Sequence, residues 1–215
     1  MRKLPLSGSE IPFKIQPWLK NYGSNNCYAY AVNDFASYRH QKSVPGARVS
    51  KNLPHSYTHC KGLLDRVIAD NPRKVYKTNK NKACKKGYYK IMMVAGNGLF
   101  GSGDFHFYKQ HGLVKHKVKP GETYKGIANH YNLPYHRVLK SGPLKVGHFL
   151  NIKINIWSHK RGWATGPLIR DACNRVLTDP STACRKYSIN YKNYCGSLCI
   201  RNKGMRVGIR KTNGF

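Results

Sequence analysis

The chain has 215 residues, of which 39 are Lys or Arg and 8 are Asp or Glu, so its formal net charge is +31. Such a surface attracts polyanions, so we expect nucleic acid, an acidic wall polymer or an acidic protein surface as a partner; a generally basic surface with no specific partner is the alternative. The sequence contains no helix-turn-helix, zinc-finger or RNA-binding motif, which argues against sequence-specific reading of nucleic acid.

The N-terminal segment, MRKLPLSGSEIPFKIQPWLK, contains three prolines and lacks a continuous apolar stretch. It is therefore not predicted to be a signal peptide. No apolar run approaches the roughly 18 residues that span a bilayer, so no membrane span is expected. If the protein acts outside a cell, we expect another route to deliver it.

A first helix is predicted over residues 27–35, where Asn25-Asn26 provides an N-cap. Cys27 falls in its first turn, where the helix dipole and the free N–H groups favour a thiolate. The alternative is an ordinary core residue, since cysteine is one of the residue types most often fully buried.

A second helix is predicted from near Ser56 to Asp70. Residues 71–90 hold 8 Lys or Arg and no acid, and they are predicted to form a flexible loop leading into a strand. Strands are predicted at residues 88–95 and 104–109, on either side of a glycine-rich turn. His106 lies in the second of these strands.

The pattern of residues 114–152 predicts a strand, two helices and a second strand, in that order. Alternation over residues 114–118 indicates a short strand. Thr123 can cap a helix, and an apolar face then recurs at i, i+3, i+4 and i+7, in Tyr124, Ile127, Ala128 and Tyr131. Asn132 is predicted to cap a second short helix, and residues 149–152 form the closing strand.

This segment closely resembles a LysM domain, in the residues Pro120-Gly121-Glu122-Thr123, Ile127-Ala128, Tyr131, Leu139 and Val146-Gly147-His148-Phe149-Leu150-Asn151-Ile152. The resemblance implies a βααβ module that binds N-acetylglucosamine polymers, peptidoglycan or chitin, in a groove between two loops. The corresponding loop residues are Gly121, Glu122, Thr123 and Tyr124, and Lys140, Ser141, Gly142 and Leu144. Ser141 stands where the family usually has Asn. A LysM fold used only for packing or assembly is the alternative.

The spacing of two histidines indicates that this module interrupts another domain. His106 and His159 are 53 residues apart, and residues 113–154 account for 42 of these. Without them, the strands at residues 104–109 and 154–160 would form a hairpin with both histidines able to face one side. Exposed loop tips accept insertions, so a module grafted there is tolerable.

The surrounding domain resembles the papain-like NlpC/P60 hydrolases, in Asn26-Cys27-Tyr28-Ala29-Tyr30-Ala31, Asp104-Phe105-His106-Phe107-Tyr108 and Trp157-Ser158-His159-Lys160. The resemblance implies that Cys27 attacks an amide carbonyl, that His106 takes the thiol proton and that His159 orients His106. It also implies an N-terminal helix packed on an antiparallel sheet. The alternative is that both histidines are hydrogen-bonded structural groups.

The chain has seven cysteines, an odd number. With Cys27 free, six remain as disulfide candidates: Cys60, Cys84, Cys173, Cys184, Cys195 and Cys199. Disulfides require an oxidising setting. Reduced thiols and a zinc site that also uses His55 and His59 are alternatives, although the spacings match no standard zinc site. We therefore predict neither a metal nor another cofactor.

The predicted fold class is α+β: a papain-like NlpC/P60-type host over residues 1–112 and 155–215, a LysM module over residues 113–154 and a cysteine-rich C-terminal tail. The leading functional hypothesis is a minor structural component of the virion of a large DNA virus, with other virion or capsid proteins as partners. The alternative is an active cell-wall cysteine peptidase or amidase that the LysM module directs to peptidoglycan or chitin.

The net charge leads to a first prediction. Binding to duplex DNA should be tight at low salt, should not depend on base sequence and should weaken steeply as salt rises, because the release of counterions drives it. Fluorescence anisotropy of labelled duplexes over a salt series measures this. A preference for one duplex over scrambled competitors would contradict the prediction.

Overall fold

The computed structural model describes residues 3–20, 22–35, 42–49, 60, 62–97, 103–187 and 189–209. The helices of this part of the chain are α1 (Gln16–Leu19), α2 (Cys27–Val32), α3 (Leu63–Asp70), α4 (Tyr124–Tyr131) and α5 (Tyr135–Leu139). Its strands are β1 (Val75–Thr78), β2 (Tyr88–Asn97), β3 (Gly103–Lys117), β4 (Phe149–Lys160), β5 (Pro167–Leu168) and β6 (Asn190–Arg201). Mixed α and β content with few helices agrees with the predicted α+β class.

The strands form one antiparallel sheet in the order β1-β6-β2-β3-β4-β5. β6 comes from the cysteine-rich C-terminal segment, yet it lies between β1 and β2 in the interior of the sheet. The prediction of a C-terminal tail is therefore wrong. The physical reason is that Leu198, Cys199 and Ile200 are buried on both faces of the sheet, as the pairing of an inner strand requires.

Both faces of the sheet are covered. On β2, Ile91 and Met93 face a core that includes α2 and α3, whereas Met92 and Val94 face a second core with Trp157. This explains why residues 88–95 form a continuous apolar run instead of an alternating one. The prediction of a buried strand there is confirmed.

The basic segment 71–90 is not a loop throughout. Its residues 75–78 form β1, which pairs with β6. Cys84 is joined to Cys199, and the buried Lys90 ammonium donates to the carbonyl oxygens of Lys80 and Lys82, each at 2.6 Å. The prediction of a flexible loop is wrong, because pairing, a disulfide and buried hydrogen bonds fix the segment.

Two predicted helices are shorter in the structure. α2 ends at Val32 and not at residue 35, because Asn33 adopts the left-handed conformation (φ 60°) and its N–H bonds back to the helix. α3 begins at Leu63 and ends at Asp70, as its C-terminal stop signal predicted. Residues 50–59 and 61, where the start was predicted, lie outside the described residues.

Residues 113–154 form the predicted order of strand, helix, helix and strand, as a continuation of the β3–β4 pair. β3 and β4 remain paired from Tyr108↔His159 to Lys117↔Phe149, with a register shift between His111 and Leu113. The module therefore extends a long hairpin, and the irregularity falls where the predicted module begins.

The capping of the module's helices is partly as predicted. The Thr123 hydroxyl accepts from the Gly126 N–H at 3.0 Å, so Thr123 caps α4. Asn132 has φ 52° and ends α4, so the prediction that it caps the second helix is wrong. Pro134 occupies the N-cap position of α5 instead.

The apolar core of the module continues into the rest of the protein. Ile127, Val138 and Ile152 pack in one cluster with Phe13 and Ile169, which lie outside residues 113–154. Phe13 also bonds to β3 through its N–H and the Leu113 carbonyl oxygen at 2.7 Å. The module thus shares its core with the host.

The six candidate cysteines form three disulfides, Cys60–Cys195, Cys84–Cys199 and Cys173–Cys184. Cys27 is the free cysteine. Two bridges join the segment before β2 to β6 and so hold the C-terminal strand in the sheet. None of the described helices is both long enough and apolar enough to cross a membrane.

A second prediction concerns Gly96, at which β6 approaches β2 closely. A Cβ at this position would meet the Asn190 carbonyl oxygen and lie 2.7 Å from Tyr191 Cα, so Gly96→Ala must displace backbone. We expect it to lower the free energy of unfolding by about 1–3 kcal/mol. Gly23→Ala is the matched control, because no atom lies within 4 Å of its added Cβ. Equal denaturation midpoints of the two variants would contradict this.

Candidate functional site

Cys27 is the first residue of α2 and is 4% exposed. The helix begins here because the Asn26 carboxamide oxygen accepts from the N–H groups of Tyr28 at 3.1 Å and Ala29 at 3.2 Å. This confirms the predicted cap and places the thiol at the N-terminal end of α2, which packs against β3.

The thiol of Cys27 lies beside the backbone of His106. It donates to the Phe105 carbonyl oxygen at 3.7 Å, and the Phe107 N–H also hydrogen-bonds to the sulfur. The pairing of β3 with β4 begins only at Tyr108, so this edge of β3 is open to the helix. In the described structure no hydrogen bond joins Cys27 to His106.

Burial raises the pKa of the Cys27 thiol to about 12, and the nearby Asp104 carboxylate adds to this shift. The sequence-based expectation of a lowered pKa is therefore wrong. α2 has only six residues, and Asn26 already occupies two of its free N–H groups, so the helix terminus does not offset the loss of solvent. Cys27 is a neutral thiol at pH 7.

His106 and His159 lie in contact, as the spacing predicted. His106 Nε2 is 2.8 Å from His159 Nδ1, and His159 Nε2 is 2.9 Å from the Arg170 carbonyl oxygen. A carbonyl can only accept, so His159 carries its proton on Nε2 and its Nδ1 accepts from His106. His106 Nδ1 then keeps a lone pair and is a potential proton acceptor.

Both imidazoles are neutral. Burial lowers the pKa of His159 to about 4, and burial together with the neighbouring His159 lowers the pKa of His106 well below its usual value. The His106 ring packs against Tyr108 and Tyr191, with ring centroids 5.1 and 5.2 Å away. Its orientation is therefore set by packing as well as by the bond to His159.

Three further residues complete the surroundings of this pair. The Tyr191 hydroxyl donates to Asp104 Oδ2 at 2.8 Å, and the Lys42 ammonium pairs with Asp104 Oδ1 at 2.7 Å. Alternation along the strand placed Asp104 on the His106 face. Tyr191 and Lys42 come from distant segments, and no local pattern in the sequence indicated their position.

Lys109 connects β3 with α2, the two elements that carry His106 and Cys27. Its ammonium donates to Asn33 Oδ1 at 2.9 Å and to the Tyr30 carbonyl oxygen at 3.4 Å, both at the C-terminal end of α2. Burial lowers the pKa of Lys109 to about 7. This contact from β3 fixes the position of α2 along the strand and hence that of Cys27 relative to His106.

The predicted glycan loops lie next to each other. The Tyr124 hydroxyl donates to the Gly142 carbonyl oxygen at 3.1 Å and accepts from the Leu144 N–H at 2.9 Å. Ser141 donates to the Val138 carbonyl oxygen at 2.5 Å. Tyr124 thus bridges the two loops, which leaves its hydroxyl occupied within the protein.

The side chains of Glu122 and Thr123 make contacts within the module, whereas Lys140 is exposed. The Glu122 carboxylate accepts from His116 Nε2 and from the Lys119 N–H, each at 2.8 Å. Thr123 is the cap of α4, and Lys140 ends α5. Gly121 takes φ 75° in the turn before α4, where its Cα is open to solvent.

The described residues include no group of three or more His, Cys, Asp or Glu side chains that could hold a metal ion. His55 and His59, named above as zinc-ligand candidates, lie outside the described residues. The six cysteines other than Cys27 are taken up by disulfides.

A third prediction follows from the neutral histidine pair. A group with a lowered folded pKa adds stability above its unfolded pKa, about 6.5 for His, and that stability is lost as the pH falls towards 4. His159→Gln keeps an N–H donor but does not titrate, so the acid side of the stability profile should flatten by about 1 kcal/mol per pH unit. Urea unfolding between pH 7 and 4 measures this. The exposed His136→Gln is the control, and equal slopes in both variants would contradict the prediction.

Comparison of the chain with known protein families, with curated proteins and with solved structures finds no match. The LysM and NlpC/P60 resemblances therefore stay hypotheses, supported by the motifs of this chain.

Proposed function

We propose that the chain is a strongly basic, virion-associated protein that carries a cysteine-hydrolase-type site, with Cys27 as nucleophile, His106 as base and His159 as the group that orients the base. The observation that carries the proposal is the 2.8 Å bond from His106 to His159, next to the strand edge against which the Cys27 thiol packs. The two histidines provide the base and the orienting group that an activated nucleophile requires, and the proposal adds Cys27 as that nucleophile.

In the proposed reaction the Cys27 thiol leaves the Phe105 carbonyl oxygen and reaches His106 Nδ1 around the unpaired edge of β3, because α2 packs on the face opposite to the His106 ring. Sulfur then forms a bond to an amide carbonyl carbon as the thiol proton passes to His106. His106 returns this proton to the leaving amine when the C–N bond breaks, and water hydrolyses the resulting thioester. Because both partners are neutral at rest, proton transfer has to accompany the attack.

The proposed substrate is a peptide or amide linkage in a wall that contains N-acetylglucosamine polymers. What supports this is the strand–helix–helix–strand order of residues 113–154 and the contact between their two loops through Tyr124. The net charge of +31 and the three disulfides support a place in a particle, beside polyanions and outside a reducing compartment.

A second candidate is a purely structural virion protein that uses both parts of the fold for packing and assembly. The burial of Cys27 favours it, because a thiol with a pKa of about 12 that bonds to the Phe105 carbonyl oxygen is typical of an inert core cysteine. The two candidates share charge, disulfides and partners, and they differ in whether an amide bond is cleaved.

The fourth prediction separates these candidates. On peptidoglycan fragments and on chitin-associated peptides, the hydrolase releases new amino groups, and Cys27→Ala abolishes this release. His106→Ala should lower the rate at least about a hundredfold, and His159→Ala should lower it less, because an orienting group contributes less than the base. His136→Ala is the control for the loss of an exposed histidine. If the folded wild type cleaves neither substrate, the structural candidate stands; cleavage that persists in Cys27→Ala would remove Cys27 as the nucleophile.

Alkylation tests the resting state of the same thiol. Since the other six cysteines are bridged, iodoacetamide under non-reducing conditions reports on Cys27. With its pKa at about 12, the rate should be very low at pH 6.5 and should rise about tenfold per pH unit above it. Mass spectrometry of the labelled peptide measures the rate, and fast labelling at pH 6.5 would contradict a buried neutral thiol.

A further inference from the structure

A cleft of about 690 Å³ lies between the module and the segment that follows β4. Its lining includes the cations Arg161, Arg170 and Lys186 and the apolar residues Phe13, Ile15 and Leu168. The C-terminal half of α4 closes it through His130. Neither the glycan loops nor Cys27 and His106 line it, so the functions considered so far leave this cleft without a role.

The positive charge of the cleft is not neutralised within the described protein. None of the ion pairs among the described residues involves Arg161, Arg170 or Lys186. The one acid in the lining, Asp171, is paired with Arg175 at 2.9 Å and also accepts the N–H of Cys184 at 3.0 Å. A ligand that enters therefore meets three cations and a carboxylate that is already satisfied.

Hydrogen-bond donors remain available in the cleft. The Arg161 guanidinium lies over the Tyr187 ring, 4.7 Å from its centroid, and makes no side-chain hydrogen bond within the described residues. Its N–H edges are thus free while its plane is held by the ring. Tyr187 lines the cleft, and its hydroxyl is buried and has no hydrogen-bond partner in the described part of the chain. Stationary, unpaired donors of this kind are what an oxyanion binds.

The apolar part of the lining is accessible. Ile15 is 39% exposed and Leu168 is 36% exposed, although both are large aliphatic residues. A ligand that satisfies both kinds of lining residue carries anionic groups together with flat, weakly polar rings. Polyphosphate and acidic polysaccharides lack such rings, and a duplex keeps its bases stacked inside.

We propose that this cleft binds single-stranded nucleic acid, with phosphates on Arg161 and Lys186 and bases against Ile15 and Leu168. Sequence-independent single-strand binding combines a basic groove with surfaces for unstacked bases, which are usually aromatic rings; here the exposed aliphatic side chains of Ile15 and Leu168 provide the apolar surface. The site goes beyond general attraction to a positive surface, because it selects single strands over duplexes of equal charge.

The test compares two variants that each lose two positive charges. R161Q/K186Q removes the free cations of the cleft. K86Q/K203Q removes two exposed lysines from the segments directly before β2 and after β6, neither of which lines the cleft. Anisotropy with a labelled 12-mer of oligo-dT should show at least about a tenfold loss of affinity for R161Q/K186Q. Its salt slope should fall by about 1.4, since each single-strand phosphate contact contributes about 0.7. K86Q/K203Q should change affinity less than about threefold.

Two further experiments identify the class of ligand. Leu168→Ser should weaken oligo-dT binding about fivefold or more and leave polyphosphate binding unchanged, because only bases use the apolar part of the lining. Unlabelled oligo-dT should displace the probe better than a duplex, heparin or polyphosphate of equal charge. Equal losses in the two double variants would overturn the proposal in favour of diffuse surface binding, and equal competition by polyphosphate or heparin would overturn the assignment to nucleic acid. Thermal unfolding of each variant confirms that it is folded.

Discussion

The antiparallel pairing of β3 with β4 is the constraint on which both the candidate site and the module depend. It sets Tyr108 opposite His159 and Lys117 opposite Phe149. This register brings His106 and His159 to the same face, although 53 residues separate them. A slip of one residue would turn His159 to the face on which α2 packs and would break its bonds to both His106 and the Arg170 carbonyl oxygen. The buried side chains on both faces keep the register in place.

Because the chain has few acidic residues, its buried lysines form hydrogen bonds to groups other than carboxylates. Lys90, Lys109 and Lys160 are each at most 1% exposed, yet their ammonium groups bond to backbone carbonyl oxygens or to an amide, and not to carboxylates. Burial lowers the pKa of Lys90 and of Lys160 to about 8. Aromatic rings supply the remaining stabilisation at Lys109, whose ammonium lies 5.0 Å from the Tyr30 centroid. The chain thus replaces ion pairs with carbonyl and ring contacts in its core.

Local sequence patterns predicted local structure, but they did not predict contacts between distant segments of the chain. The helix caps at Asn26 and Thr123, the strand over residues 88–95 and the His106–His159 contact followed from capping chemistry, an apolar run and residue spacing. The position of β6 between β1 and β2 depends on pairing between residues that are 93 (Asn97↔Asn190) to 125 (Val75↔Ile200) positions apart, which local periodicity does not indicate. The pKa of Cys27 was mispredicted for a related reason. The sequence shows the helix terminus that lowers a thiol pKa, whereas the burial that raises it comes from the assembled core.

Arg170 links the candidate site to the cleft. Its carbonyl oxygen accepts a hydrogen bond from His159 Nε2 at 2.9 Å. Its guanidinium lies beside the cleft and donates to the carbonyl oxygens of Asn174 at 2.8 Å and His130 at 3.3 Å. A substitution that shifts the backbone at this residue would change the orientation of His159 as well as the charge of the cleft. Effects on hydrolysis and on polymer binding therefore separate only at residues that touch one of the two. Lys186 meets this requirement for the cleft, and Cys27 and His106 meet it for the site. Arg161 makes no hydrogen bond to the site residues, but its charge helps to lower the pKa of both His106 and His159.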